Sequence, residues 1–223
     1  MQNQTNVDGA SIQSIVTRPI LFSSSMVRAI LAGQKTQTRR VMKPQPTAFW
    51  NDGRQPVNLP YDRDNDKVIR CPYGKPGDRL WVRETCWSDG CDVYYTADAA
   101  HKTFGASDEY FERLLKLHHY AGSFSQKVPS IHMPRWASRI TLEIDSVRVE
   151  RLNDISNEDC TAEGITAIGK GVRMADGTYA QAGRYETKSS TVRQLYSELW
   201  DSINGPGSWN ADPFVWVVGF KVV

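Results

Sequence analysis

The sequence predicts an α+β fold: a small, partly open β-barrel with a few packed helices. Three observations carry this. In Ser138–Leu152 the apolar residues alternate: Ile140, Leu142 and Ile144 fall on even positions, then Val147 and Val149 on odd ones. That is a strand whose inward face switches near Asp145-Ser146, as a bulge at a barrel corner would make it do. Phe214–Val222 is apolar at successive positions, the pattern of a strand covered on both faces. Around these strands lie short amphipathic stretches that start on capping residues and stop at glycines.

The elements follow in chain order. Residues 1–16, rich in Gln, Asn and Ser, read as a disordered lead-in, with one domain over 17–223. Ser23-Ser24-Ser25 can cap a helix over Met26–Ala32, whose apolar stripe is Met26, Val27, Ile30 and Leu31 and whose stop is Gly33. Residues 43–79, rich in Pro, Asn, Asp and Gly, read as a long surface excursion ending in the Pro76-Gly77-Asp78 turn. Leu80–Thr85 is a strand. A helix is expected over Asp108–His119, with Tyr110, Phe111, Leu114 and Leu115 as its apolar face. Ser156-Asn157-Glu158-Asp159 has the form of a capping box with Asp where Glu or Gln usually stands, so a short helix should end near Glu163 with Gly164 as its stop. Gly169–Glu186 is a Gly-rich loop or hairpin. Thr191–Ile203 is an amphipathic helix with Val192, Leu195, Leu199 and Ile203 on one face.

Composition narrows the partners. The net charge is only +2, with 40% hydrophobic residues, seven Trp and nine Tyr. A core is affordable, a long polyanion-binding face is not indicated, and some aromatic rings are available for stacking. No run of 18 apolar residues predicts a membrane span, and no charged n-region with a long apolar h-region predicts a signal peptide. The four cysteines, Cys71, Cys86, Cys91 and Cys160, form no Cys-x-x-Cys pair. Cys86-x4-Cys91 with His101 is a poor zinc pattern, and neighbouring His118 and His119 point to different helix faces. Free thiols in a reducing cytoplasm, with no metal and no cofactor, are the expectation.

Against this near-neutral background one segment stands out. From Arg18 to Pro46 there are six Lys or Arg residues and no Asp or Glu. Just past the Gly33 stop come Lys35, Thr36, Thr38, Arg39 and Arg40. A local basic patch points to an anionic partner, a nucleotide or nucleic acid. An amine beside a hydroxyl is also the minimum set for a nucleophile with its own base. In a cleft beside Arg39 and Arg40, desolvation and like charge would lower the Lys35 pKa and let it take a proton from Thr38. On the surface Lys35 would be an ordinary solvated lysine, and on an extended strand a three-residue spacing would turn it away from Thr38.

The run Gly33-Gln34-Lys35-Thr36-Gln37-Thr38-Arg39-Arg40 resembles the signature of the ASCH family, Gly-x-Lys-x-x-Thr-x-Arg, at every marked position. Pro76–Glu84 resembles the family's Gly-Asp turn into a barrel strand, Ala162–Ile165 the end of its central helix, and Phe214–Val223 its closing strand. The likeness spans about 18–223 and is nearest to the long ASCH proteins of phages and prophages. It implies a PUA-like pseudo-barrel with a cleft beside its helices, and an insertion at about 87–135 that could serve as lid, partner surface or specificity loop. It also implies a site. In the family's small bacterial N4-acetylcytidine amidohydrolases a Lys, a Thr three residues later and a distant Glu are catalytic. Lys35 and Thr38 match the first two. Glu163 matches the third by its place in the helix, with Glu84 the competing carboxylate. Arg39 and Arg40 would meet a phosphate or carboxylate, or pair with an acid. Trp81, Trp87 and Trp136 are candidates to stack on a base, and Trp136 sits between Arg135 and Arg139 in a second basic-aromatic spot. What the resemblance implies is hydrolysis of an N4-acylated cytidine or similar nucleoside, or recognition of a modified base in RNA or DNA without turnover. A nuclease, also represented in the family, lacks the clustered Asp, Glu and His of a divalent-metal site here.

Overall fold

The computed structural model describes residues 14–50, 59–104, 112–117, 127–168, 171–173, 179–180 and 192–223. The chain runs through β1 (Thr17–Leu21), α1 (Ser24–Leu31), β2 (Gln37–Val41), β3 (Ala48–Trp50), β4 (Leu59–Asp62), β5 (Lys67–Val68) and β6 (Arg79–Arg83). It continues with β7 (Cys86–Ser88), β8 (Asp92–Tyr95), β9 (His101–Thr103), β10 (Thr141–Arg151), α2 (Asn157–Ala162), β11 (Thr166–Ile168), β12 (Gly171–Arg173), β13 (Tyr179–Ala180), α3 (Val192–Asn204) and β14 (Phe214–Val222).

The architecture is α+β. Its centre is a five-stranded mixed sheet in the order β1-β6-β10-β14-β2, parallel only between β1 and β6. Among the described residues the ladder does not return from β2 to β1, so the curved sheet stays open. The β10–β14 register shifts between Ile144 and Ser146, where the sequence alternation changes face.

β14 explains itself by what covers it. Trp216, Val218 and Phe220 point to one side, into a core with Ile20, Phe22, Leu80, Val82, Leu142 and α1's Val27 and Ile30. Val215 and Val217 point to the other, onto Leu152, Ile155, Cys160 and α3's Leu195, Tyr196 and Trp200. A strand with helices on both faces has no polar side to show, hence the apolar run from Phe214 to Phe220, ended by the exposed Lys221. α3 meets the sheet through Leu195, Tyr196 and Trp200, slightly rotated from the expected stripe; Ile203 stays 55% exposed.

The surface excursion at 43–79 holds the small sheet β3-β4-β5, and the 87–135 region holds β7-β8-β9. The second sheet has its own core of Cys86, Val93 and Tyr95 against Leu114, Leu117 and Met133. Residues 112–117 are helical, and the buried pair there is Leu114 and Leu117 rather than Leu114 and Leu115. The expected lead-in at 1–13, the two outer ends of that helix and most of the 169–186 loop lie outside the described residues. Among the described residues no helix is long and apolar enough to cross a membrane.

Candidate active site

Two helix ends and one strand build the site. Ser23 caps α1, its Oγ accepting from Met26 N at 3.4 Å, and Gly33 takes the left-handed φ of 69° that reverses the chain. Residues 34–36 are then pinned from three sides. Lys35 N donates to Ala29 O at 3.0 Å, Thr36 N to Ala162 O at 2.8 Å, and Phe220 N to Thr36 O at 2.8 Å. Ser156 Oγ caps α2 by accepting from Asp159 N at 3.1 Å. Glu163 is that helix's C-cap, and Gly164, at φ 94°, turns the chain away. Lys35 and Glu163, 128 residues apart, thus meet as an isolated antiparallel bridge.

Their side chains meet too. Lys35 Nζ donates to Glu163 Oε2 at 2.6 Å and to the Glu163 carbonyl at 3.1 Å, with the two side chains 1% and 5% exposed. Arg39 approaches the other oxygen, Nη1 to Oε1 at 3.5 Å. Its Nη2 donates to Asp159 Oδ2 at 2.7 Å and Glu150 Oε2 at 2.9 Å. Asp159 also accepts from Gln37 Nε2 at 2.9 Å and Arg148 Nη2 at 2.9 Å, and Arg148 Nε pairs with Glu150. Three cations and three carboxylates therefore interlock. Asp159 does not return to the cap as a capping-box Glu would: its carboxylate is taken by Gln37 and the two arginines.

Burial lowers the Lys35 pKa below the ordinary lysine value; the Glu163 charge opposes this, and Arg40 and Arg39 add to it. Burial tends to raise the Asp159 pKa, but hydrogen bonds from Arg39 and Gln37 and the charge of Arg148 bring it below the usual range. The Tyr196 phenol, directed at Glu163 from α3, is pushed well above its usual value by burial, with the Glu163 charge adding to the effect.

Lys35, Arg39, Glu163 and Tyr196 open on a cavity of about 650 Å³, a size ordinary for small-molecule sites. Lys35, Thr38, Arg39, Arg40 and Glu163 line it together. Thr38 is 3% exposed, and among the described residues its hydroxyl has no hydrogen-bond partner. Lys35 directs its hydrogen bonds to Glu163, not to Thr38. Arg39 and Arg40, neighbours on β2, take different partners: Arg39 turns to the carboxylates, while Arg40 Nη2 donates to Leu21 O at 2.6 Å and its guanidinium lies over the Phe22 ring.

The other expected site residues are elsewhere. Glu84 is buried in a two-pronged pair with Arg139, Nε to Oε1 at 2.8 Å and Nη2 to Oε2 at 3.0 Å, and Arg139 also holds Asp98. That pair satisfies both Glu84 oxygens and leaves it outside the cavity. Trp81, on β6, lies under Arg83, and Trp136 packs edge-on against Phe104 in the small core beside β7-β8-β9. Trp87 stacks on Tyr94. The rings that do line the cavity are Tyr73, Tyr196 and Trp200. The sequence carries a signal for the last two: four residues apart on a helix, they share a face.

No family model matches the chain, and no curated protein does. Among solved structures, an ASCH domain from Lactobacillus crispatus JV V101 is 10% identical, the match covering 93% of this chain and 79% of that one with a TM-score of 0.39. A protein from Enterococcus faecalis V583, of the DUF984 family model, is 8% identical, covering 95% and 82% with a TM-score of 0.38. Similarity at this level carries no statement about activity, and the chemistry rests on the chain's own residues.

Proposed function

We propose that this chain is an ASCH-type protein that hydrolyses an N4-acylated cytidine or similar modified nucleoside in the β2–α2–α3 cavity, with Lys35, Thr38 and Glu163 as its catalytic residues. The observation that carries the reading is a buried Lys35–Glu163 pair sharing one cavity with a Thr38 hydroxyl that has no hydrogen-bond partner among the described residues.

The chemistry follows from the protonation balance. Desolvation lowers the cost of the neutral Lys35 amine, the form that acts as base, and the Glu163 carboxylate at 2.6 Å orients it. Thr38 then passes its hydroxyl proton to Nζ while Oγ bonds to the acyl carbonyl carbon. Arg39, whose Nε has no protein acceptor among the described residues, is the donor proposed for the oxyanion. Collapse breaks the C–N bond, and the exocyclic nitrogen takes a proton from Lys35. Water repeats the sequence on the Thr38 ester and releases the carboxylic acid. Base and acid are both side chains, so no metal is needed. Tyr196 and Trp200 supply the ring faces for the base.

Purified protein given N4-acetylcytidine should release cytidine and acetate with chelator present. Lys35→Ala and Thr38→Ala should each lower the rate by about 10²-fold or more while circular dichroism and melting stay cooperative. A panel of acylated nucleosides yielding no product would rule out the hydrolase.

One observation favours a second reading, modified-base recognition in RNA or DNA without turnover. Lys35 Nζ engages both the Glu163 carbonyl and its carboxylate, so the pair also serves as a strut between α1 and α2. Tight binding of cytidine derivatives with no hydrolysis is the result that would select it.

A further inference from the structure

The charges around the cavity do not cancel where they face it. Its lining holds four cationic residues, Lys35, Arg39, Arg40 and Lys43, against one carboxylate, Glu163. Lys35 is neutralised by Glu163, and Arg39 by Glu150 and Asp159 behind it. Among the described residues no carboxylate pairs with Arg40 or Lys43. Arg40 has donor capacity to spare: Nη2 is held by Leu21 O, while its Nε is buried and has no acceptor. Its guanidinium is positioned by the Phe22 ring at 5.4 Å, so the charge is fixed rather than swinging in solvent. The Ser23 and Ser25 hydroxyls, 2.7 Å apart, lie in the same lining. The same lining includes Tyr196, Leu199 and Trp200, which carry no charge.

This mixed lining, cationic and aromatic, fits a ligand with a flat apolar part and an anionic part. We infer that the cavity takes a phosphorylated nucleoside, its base on the Tyr196–Trp200 wall and its phosphate between Arg40 and Lys43. The inference deepens the nucleoside-pocket reading and rests on it for the base; the phosphate comes from the charge balance alone. A fixed guanidinium suits phosphate because it offers two parallel donors, while Lys43 adds a mobile point charge. The phosphate belongs either to a free nucleotide or to a nucleotide within a strand, since both present the same anion.

The experiment reads binding, so it stands apart from turnover. Cytidine, cytidine 5′-monophosphate, cytidine 3′-monophosphate and a short cytidine-containing oligoribonucleotide are titrated calorimetrically at 50 mM and 300 mM salt. At least one phosphorylated probe should bind about tenfold more tightly than cytidine, the size of one charge-assisted hydrogen bond, and the advantage should shrink at high salt. Arg40→Gln should remove most of that advantage and leave cytidine binding within about twofold. Lys43→Gln, at an exposed position, should remove part of it. An oligonucleotide that outbinds both monophosphates assigns the phosphate to a strand; the reverse assigns it to a free nucleotide. Equal affinity for cytidine and every phosphorylated probe, no binding of any probe, or an advantage untouched by both variants overturns the inference. Hydrolysis of a free acylated nucleoside would survive that result, and failure of hydrolysis would not touch the binding difference.

Discussion

Glu163→Gln tests the site most directly, because it removes one charge from a buried pair and almost no volume. In the native protein Lys35 Nζ sits 2.6 Å from the carboxylate, with the two side chains 1% and 5% exposed. Arg39 keeps Glu150 and Asp159 in the variant, so Lys35 is the residue left alone. Breaking a buried pair by removing one partner costs about 3–5 kcal/mol. An independent bound agrees. Lys35 can escape by losing its proton, and at pH 7 that costs at most ~1.4 kcal/mol for each of the ~3.4 units below the reference value near 10.4, or about 4.6 kcal/mol. For a chain of this size each kcal/mol moves the melting temperature by roughly 2–4 °C, so a drop of about 10 °C is expected. The pH dependence has a fixed sign. The Lys35 pKa is already lowered in the fold, and loss of the Glu163 charge lowers it further. Between that folded value and about 10.4 the unfolded chain holds a proton that the folded variant has released, so stability rises with pH across the window. Melting should be followed at pH 6, 8 and 10; the deficit should narrow in the interval between the variant's and the native protein's Lys35 pKa, where only the native fold keeps the proton. Adding Lys35→Met to the variant should recover part of the loss, since a neutral pair leaves no charge stranded. A deficit under 1 kcal/mol, or one that does not change with pH, would refute the assignment of a desolvated Lys35 stabilised by Glu163.

Two further predictions concern what holds the site in place. Ser156→Ala removes the α2 cap and should cost about 1 kcal/mol; because Glu163 ends that helix, catalytic rate or ligand affinity should fall with it, and a stability loss with function unchanged would show that Glu163 is positioned by the β-bridge alone. Asp159→Asn should cost roughly 2–3 kcal/mol at neutral pH, since Arg39 and Arg148 each lose a charged acceptor; Asp159 has a lowered folded-state pKa, so the difference in denaturant midpoint should stay flat from pH 7 to 5 and shrink only below about pH 4, and a decline already near pH 6 would point to another group.

Local order was legible in the sequence wherever a nearest-neighbour rule governs it. Capping serines and left-handed glycines bound α1 and α2, the alternation break locates the β10 bulge, and the apolarity of Phe214–Phe220 announces a strand covered twice. The Lys-x-x-Thr run was legible as well, because its spacing is short. The β7-β8-β9 sheet was missed although Asp89-Gly90 stands between two of its strands, a turn signal hidden by the surrounding polar residues. What only the tertiary structure decided is who meets whom. Glu163 rather than Glu84 faces Lys35 because the α2 C-terminus bridges the 34–36 loop, while Arg139 takes both Glu84 oxygens. Glu150 and Asp159 reach Arg39 from 111 and 120 residues away, and Tyr196 reaches Glu163 from another helix, through contacts no local pattern encodes. The two cations left unpaired at the cavity are known only once every other charge has been assigned a partner. Electrostatic balance belongs to the assembled cluster and not to any segment of the chain.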